Sequence, residues 1–225
     1  MNDFQGLKKH SFERDAWGKK RLICGIDEVG RGCLAGPVVA AAVILKNYCG
    51  SFLLKDSKLL SDIQLSKGYA WILKNAFISV GIINNDIIDQ CNIYQATLLA
   101  MNKAVTNLLT TSLEFPLSIL IDAMPLKLYN TAYEHIPIYY FPKGEEYSIS
   151  IAAASIVAKV TRDEIMRKLS LIFPRYNFEQ NKVYGTRLHW QAIEKYGRTI
   201  LHRNSFLNSL KAEGKDDECQ QRTLC

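Results

Sequence analysis

Apolar positions along the chain gather into short runs separated by glycine, proline and acid. The stretch RLICGIDE (21–28) reads as a strand, and PVVAAAVIL (37–45) as a second apolar, β-branched strand joined to it by a glycine-rich turn. LLKDSKLLS breaks the pattern, and Ser61-Asp62 forms a start signal for a helix over about 62–75. AFISVGIIN (76–84) is a third strand. The segment 84–109 has helical spacing, with Ile93, Ala96, Leu99, Met101, Ala104 and Leu108 approximating one apolar face. LSILID (117–122) is a short buried strand that ends on Asp122, and IPIYYFPKGEE (136–146) is a strand ending near Lys143-Gly144. A long alanine-rich helix over 148–173 stops at Pro174. A loop with Asn177, Asn181 and Gly185 follows, and then a helix over 186–196 with Gly197 as its stop.

This order predicts an α/β protein with one mixed sheet. The first three strands suit an antiparallel meander, and the later two suit parallel additions across helices. Residues 1–20 are expected to be a loose or short helical lead-in, residues 21–210 one folded domain, and residues 211–225 a polar tail that is disordered. Open sheets of this kind place their sites at strand ends. Three of the predicted strand ends carry acid: Asp27 with Glu28, Asp122, and the Glu145-Glu146 pair.

Composition narrows the class. The chain has 225 residues, 48% hydrophobic and 22% charged, which excludes disorder over most of its length. The net charge of +6 suits a polyanionic partner, and Lys159, Arg162, Arg167, Lys168, Lys182 and Arg187 concentrate the cations in one part of the sequence. The six cysteines form no CxxC pair and no zinc spacing. The first residues hold no apolar signal segment, and the longest apolar run, CLAGPVVAAAVIL, is too short to span a bilayer and contains Pro37. The expectation is a cytoplasmic protein without a membrane partner.

Hard divalent cations need oxygen ligands, and phosphodiester chemistry with two such ions needs three or four carboxylates converging from separate segments. The acids at the strand ends meet that description; equally, they suit solvated caps and turns. Gly30-Arg31-Gly32 suits either a tight turn or a nest of backbone N–H groups that receives an anion, with Arg31 beside it. Ser57 and Lys58 in the DSK segment fit a phosphate-binding loop or a solvated turn. Lys159 and Asp163, four apart on a helix, fit a surface ion pair or a site-lining pair. There is neither a GxGxxG nor a Walker A run, which weighs against a nucleotide-dependent metabolic enzyme.

Longer motifs decide among these. GIDEVGRGCLAGPVVAAAVIL, followed in order by LKDSKLLS, IDAMPL, PKGE, SIAAASIVAKVTRD, YGT and HRNSF, closely resembles the type 2 ribonucleases H, the ribonuclease HII family, over roughly residues 21–206. The resemblance implies a ribonuclease H-like mixed five-stranded sheet flanked by helices, with a C-terminal helical extension. It implies an endonuclease that hydrolyses the RNA strand of RNA–DNA hybrids and cuts at ribonucleotides embedded in duplex DNA, leaving 3′-OH and 5′-phosphate ends. Two Mg²⁺ or Mn²⁺ ions would act with the substrate, on Asp27, Glu28, Asp122 and Glu145. Backbone groups of Gly30, Arg31 and Gly32 and the Tyr184 hydroxyl would read the ribose 2′-OH. Ser57, Lys58, Lys159 and Arg162 would hold flanking phosphates, and Asp163 would be a supporting residue. A monomer is expected, and the terminal QQRTLC is too weak a motif to imply a sliding-clamp partner.

Three departures from the family pattern involve four positions. Glu145 stands where type 2 enzymes usually have Asp, as in the sister type 3 enzymes. Ala123 stands where Gly is common. Asn181 and Val183 replace a usual His and Gly. The arginine of the GRG turn, where type 3 enzymes generally have Lys, and the short segment before Arg21 favour type 2. A type 3-like nuclease restricted to long hybrids and a non-catalytic duplex-binding protein are the competing readings.

Overall fold

The computed structural model describes residues 10–46, 54, 57, 60–112, 115–181 and 185–208. Five strands form one sheet: β1 (Ile23–Val29), β2 (Val38–Leu45), β3 (Ala76–Ile83), β4 (Ser118–Asp122) and β5 (Ile138–Phe141), in the spatial order β3-β2-β1-β4-β5. β1 pairs antiparallel with β2 and parallel with β4, so the expected meander and the expected parallel additions meet on β1. The C-terminal ends of β1 and β4 therefore lie side by side, Ile26 opposite Ile121, and their last acids share one end of the sheet.

Helices cover both faces. α1 (Ser11–Gly18) precedes β1, α2 (Asp62–Asn75) precedes β3, and α3 (Asn85–Thr111) follows it. Ser61 caps α2 in a reciprocal box with Gln64, as the sequence signal predicts. α3 packs against the face formed by Cys24, Ile26, Ala40 and Ala42. The opposite face, with Ala41 and Val43, is covered by α2 and by the long helix α5 (Ile149–Ile172), which follows a four-residue turn of helix, α4 (Gly144–Tyr147). Ala40, Ala41 and Ala42 are wholly buried, and their small side chains let helices approach from both sides.

Three local expectations are corrected. Leu99 is 49% exposed, because at about 100° per residue it lies about 140° round the helix from Ala104 in the buried arc. Glu145 and Glu146 sit on α4 rather than at the end of a strand. The expected loop after Pro174 is partly helical: a 3₁₀ turn (Pro174–Tyr176) and α6 (Phe178–Asn181) form because Tyr176 and Phe178 bury their rings in a separate apolar cluster.

That cluster also holds Cys33, Leu34, Met166, Ile193 of α7 (Arg187–Tyr196) and Leu207 of a last helical turn at 204–208, so the C-terminal part docks on the 33–35 segment. A buried histidine pair lies here. The Thr199 N–H donates to His202 Nδ1 at 2.8 Å, which leaves the proton of the neutral ring on Nε2, 3.1 Å from His189 Nε2. Among the described residues no helix is long and apolar enough to cross a membrane. The polar tail and QQRTLC lie outside the described residues.

Candidate active site

Neighbouring residues on a strand point to opposite faces, so Asp27 and Glu28 diverge. Their partners on β2 identify the sides. Asp27 pairs with Ala41, on the α5 side, and Glu28 with Ala40, on the α3 side. Asp27 is 8% exposed, and its Oδ1 accepts the Glu28 N–H at 2.7 Å. A second hydrogen bond comes from Ser155 of α5, whose Oγ lies 2.8 Å from Ser57 Oγ. Gly25 makes this approach possible. It is two residues before Asp27 on the same face, and a Cβ there would fall 2.1 Å from the Ser150 carbonyl carbon.

Asp122 ends β4, and its Oδ1 accepts the Gly144 N–H at 2.9 Å, which draws α4 and Glu145 to the same end of the sheet. Two non-glycine residues with left-handed backbone flank this link, Ala123 (φ 56) and Lys143 (φ 59). Glu145 is half-buried, whereas Glu146 is exposed and faces Lys143 at 3.7 Å. Glu13 of α1 supports α5 from its start. Its buried carboxylate accepts the Ser150 N–H at 3.1 Å and the Ser148 hydroxyl, and Ser148 in turn caps the helix.

The electrostatics are those of anions crowded in a poorly solvated place. Burial pushes the Asp27 carboxyl well above the usual range, the charges of Glu28 and Asp122 push the same way, and the Ser155 and Glu28 N–H bonds oppose them. Burial also raises Glu28, against the pull of Arg31, whose Nη1 lies 3.2 Å from Oε1. Glu28 Oε2 is buried without a hydrogen-bond partner among the described residues. Mutual repulsion and an unsatisfied buried oxygen are both relieved by a cation, so the donor set fits a hard divalent ion. Among the described residues no three Asp, Glu, His or Cys side chains are already gathered into a cage. Mg²⁺ does not demand one, since it keeps several waters and completes its shell with phosphate oxygens.

Other expected site residues fall differently. Gly30, Arg31 and Gly32 form the turn after β1, with Gly32 exposed and Arg31 partly so. Lys159 is bound to Asp163 at 2.7 Å, the ion pair that their spacing allowed. Arg162 is corrected: its side chain is 1% exposed and donates to the carbonyls of Pro37 and Ala35, so it braces the turn from beneath instead of meeting a phosphate. Ser57 is corrected too, since it is buried and its hydroxyl is engaged with Ser155. Lys58 and Tyr184 lie outside the described residues. Sequence reasoning missed Ser155 and Glu13 as supports. Ser155 had a signal, a lone polar residue within the alanine run; Glu13 had none.

The sequence profile described as Ribonuclease HII matches residues 24–209. Ribonuclease HII of Lactobacillus johnsonii is 47% identical over 203 residues, 90% of this chain and 77% of the relative. In fold, the chain is similar to a solved PCNA:RNase HII complex from Archaeoglobus fulgidus, with TM-score 0.67, 21% identity, and 81% and 94% of the two chains covered. It is also similar to Bst-RNase HIII solved in complex with Mn²⁺, with TM-score 0.65, 23% identity, and 86% and 70% covered. The profile match and the close identity over most of both chains agree with the acids at the shared sheet end: this chain belongs to the ribonuclease HII family.

Proposed function

We propose that the chain is an endonuclease that hydrolyses the RNA strand of RNA–DNA hybrids and cuts at ribonucleotides embedded in duplex DNA, leaving 3′-OH and 5′-phosphate ends. The observation that carries this reading is the crowding of Asp27, Glu28 and Asp122 at one sheet end, where the charges of Glu28 and Asp122 raise Asp27 and that of Asp122 raises Glu28, with a buried Glu28 oxygen left unsatisfied among the described residues. Asp27, Glu28, Asp122 and Glu145 would hold two Mg²⁺ or Mn²⁺ ions. Bound there, such ions supply an activated water and neutralise charge at the scissile phosphate and the departing 3′ oxygen.

The rest is the work of the chain. Asp27 is kept oriented by Ser155 and the Glu28 N–H, and Asp122 by the Gly144 N–H. The turn at 30–32 brings backbone N–H groups to the ribose, where the 2′-OH distinguishes RNA from DNA. Arg31 neutralises Glu28 and stands at the edge of the same surface. The Tyr184 hydroxyl completes the reading of the sugar, and Lys159 and Lys58 meet flanking phosphates.

Cleavage of two matched duplexes tests this, one with a single ribonucleotide and one with a full RNA strand, each with Mg²⁺ and with Mn²⁺. Both are expected to be cut, and Asp27→Asn, which keeps the shape but removes the charge, is expected to leave less than about one part in a thousand of the rate. Cutting of the full hybrid alone would favour the type 3-like specificity suggested by Glu145. Undiminished turnover in Asp27→Asn would sink the assignment of the acids.

A further inference from the structure

The segment from Gly30 to Pro37 is gripped from behind by two guanidinium groups from distant parts of the chain. Arg203, wholly buried, donates Nε and Nη2 to the Gly36 carbonyl at 3.0 and 2.9 Å, and Nη1 to the Arg31 carbonyl at 2.9 Å. Arg162 of α5 donates to the Pro37 and Ala35 carbonyls at 3.2 and 3.4 Å. It packs so closely under Gly30 that a Cβ at that position would lie 2.3 Å from its Nε. The backbone adds a ladder, Arg203 N–H to Leu34 carbonyl and Gly36 N–H to Leu201 carbonyl, both at 2.8 Å. Asp89 of α3 anchors the far side by accepting the N–H groups of Asn204 and Ser205.

Burying a guanidinium is expensive, and where stability alone is at stake an apolar side chain of similar volume does as well or better. Two such groups on one short turn argue for a geometry being held. The peptide joining Arg31 to Gly32 is trans, so its N–H points roughly opposite to its carbonyl. A charged donor fixed on the Arg31 carbonyl from behind therefore aims the Gly32 N–H forward and polarises it as a donor. Gly32 is exposed, so that forward direction faces outward.

We propose that Arg203 and Arg162 are positioning residues that set ribose specificity: they hold the turn from its buried side so that the Gly32 N–H is presented to the sugar 2′ oxygen. This rests on the functional reading above. Arg203, not the partly exposed Arg31, is then the arginine on which discrimination between RNA and DNA depends.

The test uses Arg203→Lys and Arg162→Lys in the full chain. Binding is measured to two duplexes of one sequence, all DNA or carrying one ribonucleotide, with Ca²⁺ replacing the ions that support cleavage. Turnover is then measured with Mg²⁺, and folding is followed by melting. Lysine keeps the charge but cannot span the Gly36 and Arg31 carbonyls together. Arg203→Lys is expected to leave affinity for the all-DNA duplex unchanged while affinity for the ribonucleotide duplex, and with it the preference, falls about tenfold, with KM for that duplex raised to match and kcat reduced. Arg162→Lys is expected to do the same to a lesser degree. Folded variants that retain the full preference and kcat overturn the proposal. Should either lysine variant fail to fold, Gly30→Ala displaces the turn with both guanidiniums present; it must lose the same preference, and its retention overturns the proposal equally. Unaltered protein that binds both duplexes alike overturns the functional reading itself.

Discussion

Ala123 stands directly after Asp122 with φ 56, a conformation in which a Cβ crowds the following carbonyl. The sequence resemblance implies that glycine is common at this place in type 2 enzymes; here the strain is retained beside the acid. Ala123→Gly removes a penalty of about 1–2 kcal/mol and gives back about 0.5–1 kcal/mol through the looser unfolded chain. A net gain of about 0.5–1 kcal/mol is expected in urea unfolding, and a loss would show that the alanine methyl is packed usefully. At this scale the sequence was legible wherever a residue ends a predicted element. Asp27, Asp122 and the glycines of the turn are all singled out as candidates that way. Arg203 was not, because its partners lie 167 and 172 residues away and no local pattern distinguishes a buried guanidinium from a solvated one. The same blindness assigned Arg162 to a phosphate.

The contact between β1 and α5 decides whether the acids are oriented. Gly25 is the point of closest approach, with Ser150 and Ile151 backbone atoms 2.1–2.4 Å from where its Cβ would be. Backbone cannot rotate aside as a side chain does, so Gly25→Ala must push α5 off the strand. A destabilisation of at least about 1–3 kcal/mol is expected, with turnover falling further because Ser155 retreats from Asp27; a variant with native melting temperature and rate would show that the interface is looser than the contact distances require. Elements themselves were read well from periodicity and caps: the Ser61 cap, the strand ending on Asp122 and the Gly197 stop all stand as expected. The helical turns after Pro174 were missed because Tyr176 and Phe178 form them by tertiary burial, which short polar spacing conceals.

Across the whole molecule, the C-terminal helices pack on the 33–35 segment through an apolar cluster whose Phe178 ring lies against the buried His189–His202 pair. Burial, assisted by His189, lowers His202 from 6.5 to about 4. Below pH 6.5 the unfolded chain therefore takes up a proton that the folded chain refuses, so stability falls as pH drops from 6.5 towards 4 and this residue contributes no slope above that window. His202→Gln, which cannot be protonated, is expected to show a shallower decline in melting temperature between pH 6.5 and 4.5 than the unaltered protein; parallel declines would remove His202 as the cause. The ladder between 34–36 and 201–203 has a consequence in time as well as in space. During synthesis the meander of β1 to β3 and all the acids emerge well before residue 203. A nascent chain thus carries its charged centre long before the last strap of backbone closes behind the turn, and the turn is braced only once residue 203 has emerged.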